Sequence, residues 1–214
     1  RIARLIRHIK DDTTGQYFIT THSPSVLREL TVDQLHVVHK VAGEVEVVHT
    51  AAKELCELNI QGHVRSSAEA FLSMKVIICE GATEVGFLRG LDNHWMKHNL
   101  SPLSYLGTVL LDAHGASKIT SLAAAFKALR YEVCVVGDGD APLQFSEKDA
   151  KGLAEKDIEV LIWSDQLALE QRAMYDLPWN SVQATVKLAQ DLGFDVCANV
   201  RSKLNVVLDK DIMK

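Results

Sequence analysis

Lys75-Val-Ile-Ile-Cys79-Glu80-Gly81-Ala-Thr-Glu84 is the stretch from which the rest of the chain is read. Val76 to Cys79 is unbroken and apolar, the pattern of a strand buried on both faces. Glu80-Gly81 ends it, Gly81 allowing a tight turn, and a helix-like stretch runs from Thr83 to His98. The unit then recurs. Thr108-Val-Leu-Leu-Asp112 reads as the next strand, and after Gly115 an alanine-rich helix is expected over 117–130. Glu132-Val-Cys-Val-Val136 is a third strand, running into Gly137-Asp138-Gly139-Asp140. Residues 146–156 are charged and are assigned no element. Glu159 to Trp163 is a fourth strand, followed by a helix from Gln166 and a last helix over Ser181 to Leu192. Strands alternating with helices specify βαβ units. The expected fold is α/β, a parallel sheet flanked by helices, with additional helical segments.

Upstream the pattern is less regular. Ile2, Leu5, Ile6 and Ile9 fall at helical spacing. This opening reads as the tail of an amphipathic helix without a start signal, so a fragment of a longer protein is expected. Gln16-Tyr-Phe-Ile-Thr-Thr21 has the aromatic and β-branched content of a strand. His22-Ser23-Pro24 turns the chain into a short helix over 24–30. Leu35–His39 and Val45–His49 flank Ala42-Gly43-Glu44 and suggest a hairpin. Residues 50–73 are mixed, mostly helical or linking.

The 214 residues are 47% hydrophobic, enough for a real core, and carry a net charge of −5. A dedicated nucleic-acid module is usually basic. A site built of carboxylates is locally acidic until cations arrive, and these then reverse the field. No apolar run approaches the roughly 20 residues needed to span a bilayer. Cys56, Cys79, Cys134 and Cys197 lie far apart with no CxxC pair. They read as reduced thiols of a cytoplasmic protein. The nine histidines do not fall at zinc-ligand spacing with them.

Acids stand at the carboxyl ends of three successive strands: Glu80, Asp112 and Asp138. In open α/β sheets, sites form in the crevice at that edge. Glu84 follows Glu80 by four residues, in the first turn of the next helix. Asp138 and Asp140 are one residue apart, so both carboxylates can reach one ion or an adjacent pair. Gathering such acids without cations is costly, because like charges raise one another's pKa. An all-oxygen set suits magnesium or manganese. Two such ions about 4 Å apart can activate water and stabilise a leaving oxygen in phosphodiester cleavage. Taken singly, an Asp-x-Asp loop is usually a solvated turn, and a Glu-x-x-x-Glu pair usually an exposed helix face. Their common placement at strand ends favours the site.

Val76-Ile-Ile-Cys-Glu80-Gly81-Ala-Thr-Glu84-Val-Gly-Phe-Leu88, with Val135-Val-Gly-Asp138-Gly-Asp140-Ala downstream, resembles the Toprim domain of topoisomerases, bacterial primases and some nucleases. Glu84, together with Leu110-Leu-Asp112-Ala-His-Gly115-Ala-Ser-Lys118, is similar to the OLD-family ATP-dependent endonucleases in particular. Gln16-Tyr-Phe-Ile-Thr-Thr-His22-Ser-Pro24 is similar to the histidine switch of ABC-type ATPase domains, which precede Toprim in OLD proteins. The resemblance divides the chain into an ATPase remnant with linker over 1–66 and a Toprim nuclease domain over 67–214, with a helical insertion around 164–192.

The resemblance also implies roles. Glu80, Asp138 and Asp140 would bind one metal ion, and Glu84 would help bind a second. Glu170, in Leu167-Ala-Leu-Glu170, is the candidate for a further ligand, the alternative being a helix-surface residue. Lys203 is the candidate for stabilising the charged phosphate, after a strand-like run from Asp195 to Val200, with Arg201 and Lys210 as rivals. Asp112 is a ligand, a partner of one, or a turn acid. Ser117 and Lys118 contact phosphate or cap a helix. Gly137 and Gly139 make the Asp loop more flexible than in many relatives. His22 would face the ATP γ-phosphate. The phosphate-binding P-loop pattern is absent from these residues, so ATP would act only through an ATPase half outside them. The implied activity is magnesium- or manganese-dependent cleavage of DNA with two ions. Implied partners are DNA, a second copy of the full protein and, for some members, a helicase-like companion, with a role in phage defence and none at a membrane. A topoisomerase or primase, or a non-catalytic Toprim module, is the alternative. Tyr17, Tyr105, Tyr131 and Tyr175 show no sign of a topoisomerase nucleophile.

Overall fold

The computed structural model describes residues 2–11, 14–49, 60–139, 147–162, 167–196 and 198. The chain divides into two compact units, Arg1–Leu167 and Ala168–Lys214. The first is organised by β3 (Lys75–Cys79), β4 (Thr108–Asp112), β5 (Glu132–Gly137) and β6 (Glu159–Ile162). They form one parallel sheet in the order β4-β3-β5-β6. The strand with the purest apolar run, β3, is therefore flanked on both sides. The connections carry α4 (Ala82–Lys97), α5 (Ile119–Ala128) and α6 (Glu147–Ala154). The α/β architecture expected from the alternating pattern is the one observed.

The sheet's two faces are covered unequally. Val76 and Ile78 of β3, with Leu111, Val133 and Val135 beside them, are buried in the main core. Leu122 and Phe126 of α5 close that face, together with Val64 of α3 (Gln61–Ser66). On the other face α4 lies over β3 and β4. There Ile77, Leu110 and Cys134 are only half-buried.

The upstream residues join the same core. After α1 (Ile2–Asp11) and α2 (Pro24–Leu27), β1 (His36–Val41) and β2 (Glu44–His49) form the expected hairpin. Val41 pairs with Glu44, leaving a two-residue loop in which Ala42 and Gly43 both have positive φ, 51° and 94°. A right-twisted hairpin asks for that geometry. The His39 ring donates from Nε2 to Leu129 O at 2.6 Å and packs edge-on against Tyr131. The Tyr131 hydroxyl donates to Phe71 O at 2.8 Å, and Arg130 pairs with Glu46. The described residues before 66 belong to the same compact unit as the sheet.

Three local expectations differ from the structure. Gln16–Thr21 joins no ladder among the described residues, and Phe18 is 86% exposed. Its composition suits a strand, but a strand needs an edge to pair with, and no described edge receives it. Residues 146–156, assigned no element, contain α6, anchored by the buried Leu153. The run from Asp195 is not a strand where it is described. Asp195 Oδ1 accepts the Ala198 amide at 2.8 Å, and Val196 and Ala198 are helical. That bond is an N-cap, which commits the backbone to a helix.

The second unit contains α7 (Leu169–Asp176) and α8 (Trp179–Asp191), separated at Leu177-Pro178. Proline disfavours a helical residue before it, which accounts for the break. No described helix is long and apolar enough to cross a membrane.

Candidate metal centre

In this strand order the chain goes from β3 outward to β4, then crosses to β5 on the other side of β3. The crevice of such a sheet opens where the order reverses, between the ends of β3 and β5. Glu80 and Asp138 stand there. The Glu80 amide donates to Val136 O at 3.1 Å, carrying the pairing one residue past β3. Glu80 Oε2 in turn accepts the Asp138 amide at 3.4 Å, a long bond that ties the two strand ends together.

Glu84 completes the group. Ala82 begins α4, so Glu84 is its third residue, and its Oε2 accepts the Gly81 amide at 2.7 Å. This is the returning half of a capping box, and it places the carboxylate at the positive end of a 16-residue helix. Glu84 is only 3% exposed. Burial pushes its carboxyl up to about 7, against the pull of the Gly81 amide and its own, and nearby Asp138 adds to the rise. Gly81 itself is extended, with φ −152° and ψ −168°. A Cβ there would meet Glu84 Oε2 at an ordinary 3.6 Å. The chain bends at Glu80-Gly81 as expected, but nothing in the backbone or the space there requires glycine. Gly137 and Gly139 are both buried, Gly137 pairs with Ile162, and the Gly139 amide donates to Leu167 O at 2.9 Å, so this part of the Asp loop is anchored.

Asp112 is placed differently. It pairs laterally with Cys79, one residue short of Glu80, on the β4 side. Its Oδ1 accepts the His114 amide at 2.6 Å and lies 3.2 Å from His114 Nδ1. Of the readings open for Asp112, these bonds describe the turn acid. Ser117 and Lys118 lie exposed in the 3-10 turn Ala116–Lys118 just before α5. No side-chain cap hydrogen bond closes that turn or α5, so capping is not what Ser117 does.

Glu170 is exposed in the first turn of α7, in the second unit. His22 is exposed in the segment before α2. Asp140, Lys203, Arg201 and Lys210 lie outside the described residues. Among the described residues no three His, Cys, Asp or Glu side chains stand where they could hold a metal ion by themselves. Glu84 folds back onto Gly81 and shares a side-chain hydrogen bond with Asp138, while Asp112 folds onto its own loop.

The donor set still fits a hard divalent ion. Glu80, Glu84 and Asp138 offer only carboxylate oxygen. The neighbouring soft donor, Cys79, has its thiol pushed up to about 12, first by burial and then by Glu84 and Asp112. A thiol held protonated is no ligand for a soft metal. The resting cost of ionising Glu84 is one that a bound cation would offset.

Sequence reasoning passed over His63 and His114. His63 lies on α3, within a stretch read only as mixed, and its Nδ1 is buried without a hydrogen-bond partner among the described residues. No periodicity or motif marks it. His114 was quoted only as part of the inter-motif link, and its pairing with Asp112 depends on the loop's fold.

Residues 71–140 match the family model described as the Overcoming lysogenization defect protein-like TOPRIM domain. The matched span begins just before β3, ends on the second aspartate of the Asp-x-Asp loop, and falls on the region where the motif pattern placed the resemblance. No curated protein matches the chain significantly.

Proposed function

With an OLD-like Toprim match over residues 71–140, we propose that this chain carries the catalytic module of a metal-dependent endonuclease that cleaves DNA. The observation that carries the reading is the meeting of Glu80, buried Glu84 and Asp138 at the switch point of a parallel sheet. In this reading Glu80 and Asp138, with Asp140, hold a first magnesium or manganese ion, and Glu84 contributes to a second. When bound, such ions supply Lewis acidity at the phosphate and lower the pKa of water. The chain's own part is to fix the carboxylates. The ladder bond from Glu80 to Val136 O sets the height of the first acid, and the α4 N-terminus holds Glu84 ready to ionise. Lys203 stabilises phosphate charge, and Glu170 assists the second ion. ATP acts through an ATPase half of the full protein, with His22 at its switch. The full protein works as a dimer on DNA, in company with a helicase-like partner where phage defence requires one.

The test is incubation with supercoiled plasmid and magnesium or manganese, beside Glu80→Ala and Asp138→Ala. Nicked or linear product from the parent, blocked by EDTA and lost in both variants, supports the reading. Relaxed plasmid without stable nicks replaces it with a topoisomerase. A full-length protein inert with every divalent ion removes the nuclease assignment.

A further inference from the structure

We propose that the loop after β4, through His114, Ser117 and Lys118 with His63 behind them, forms a phosphate-holding rim that positions the nucleic-acid backbone beside the acid crevice. The inference rests on the nuclease reading of the same edge, and its test is chosen to fail separately.

A crevice of carboxylates in a chain of net charge −5 repels a polyanion. Fixed cationic donors nearby are needed to bring a backbone within reach. The β4 loop holds such donors at a fixed distance from Glu80. Its Ala113 amide donates to Cys79 O and its Gly115 amide to Glu80 O, both at 2.9 Å. Lacing the loop to the end of β3 requires left-handed backbone at His114 and Gly115, with φ 57° and 117°. A histidine held there carries local strain, a feature concentrated at ligand clamps. Its side chain is nonetheless 59% exposed. Ser117 and Lys118 are exposed beside it.

The second strand of the argument comes from α3, about fifty residues upstream. His63 is half-buried, and its basicity is lowered first by burial and then by the positive fields of His114 and Lys118, with Asp112 opposing. Its Nδ1 is buried with no hydrogen-bond partner among the described residues. A purely structural histidine would have that atom satisfied. Instead His63, from a distant segment, lies within electrostatic reach of His114, Lys118 and Asp112, and that carboxylate is already bonded to the loop. Lys118 is the fixed positive charge here, and its exposed side chain leaves room for an anion. The ligand chemistry that fits is a phosphate group, here the diester of a DNA strand whose neighbouring phosphate lies over the acids. Lys118 and His114 contact it, and His63 acts as a positioning residue.

The experiment is binding of a labelled short duplex, followed by fluorescence anisotropy in EDTA across a salt series, so that cleavage plays no part. Lys118→Ala is expected to weaken binding roughly fivefold at low salt and to lower the log–log salt slope by about one, as loss of one phosphate contact requires. Lys118→Arg should restore both, and Lys127→Ala, with its ammonium on Asp157, should change neither. Inorganic phosphate at millimolar concentration should not displace the duplex; if it does so with parent and Lys118→Ala alike, the rim is no site. Equal affinity and equal salt slope for parent and Lys118→Ala overturn the inference, even if the parent cleaves plasmid normally. A parent that binds DNA through Lys118, while the full-length protein is inert with every divalent ion, leaves the rim standing and removes the nuclease reading.

Discussion

At the ends of β3 and β5 the carboxylates face one another; at the end of β4 the carboxylate faces its own loop. Glu80 reaches the Asp138 amide, and Glu84 sits buried beside Asp138. Asp112, which the sequence places at an equivalent strand end, accepts the His114 amide and lies 3.2 Å from its Nδ1. The same residue type at the same kind of position therefore performs two tasks. Where acids from two strand ends gather and one of them is buried, the sheet carries a charge cost that a cation would offset. Where the loop supplies the donors, the acid shapes the loop.

The largest test of this contrast is catalytic. Glu80→Ala or Asp138→Ala is expected to lower plasmid cleavage by about 10³-fold or more, the several kcal/mol that go with a lost metal-holding carboxylate. Asp112→Ala should keep most of the activity. Equal loss in all three would break the contrast and make Asp112 a ligand.

A second test uses pH without metal. Glu84 has its folded-state pKa raised from 4.5 to about 7. The native state thus favours the protonated form, and this group's contribution to stability is full below 4.5 and falls as pH rises through 7. In EDTA the parent should lose melting temperature between pH 5 and pH 8 relative to Glu84→Gln, which has no such proton to lose. Added magnesium should recover the parent's melting temperature at pH 8 and leave the variant's nearly unchanged. Parallel pH curves for the two proteins would show that Glu84 ionises without strain.

The smallest effect is expected at the β4 turn. Asp112→Ala should cost about 1 kcal/mol in urea unfolding, the usual loss for a side chain that satisfies a backbone amide. Asp112→Asn, which keeps an oxygen for the His114 amide, should recover most of that. A loss several times larger would mean that the whole loop, Gly115 to Glu80 included, depends on this one bond.

The sheet was legible because its signal is local. The unbroken run of β3 and the runs of β4 and β5 need burial on both faces wherever they go, and the turns between them are marked by Gly115 and the acids. The hairpin was legible for the same reason, through alternation around Ala42-Gly43. Gln16–Thr21 was misread because propensity describes what a segment could pair as, not whether an edge exists. The run from Asp195 differs from a strand where it is described, at Val196 and Ala198, because the Asp195 side chain caps the Ala198 amide of a helical turn. At the site, Glu80, Glu84 and Asp138 could be named from spacing and strand ends. His63 could not, since nothing in its neighbours in sequence distinguishes it.

The amino-acid order by itself determined which residues become buried strands and which acids end them, because hydrophobic period and chain breaks act over a few residues. It could not determine which acids would meet. That depended on strand order: β3 lies between β4 and β5, so the crevice opens over Glu80 and Asp138 and leaves Asp112 to its own loop. Tertiary structure also decided the state of Glu84, whose raised pKa comes from burial and a neighbour 54 residues away in the chain. Charge interactions and desolvation are set by distance in space, and only the folded sheet fixes that distance.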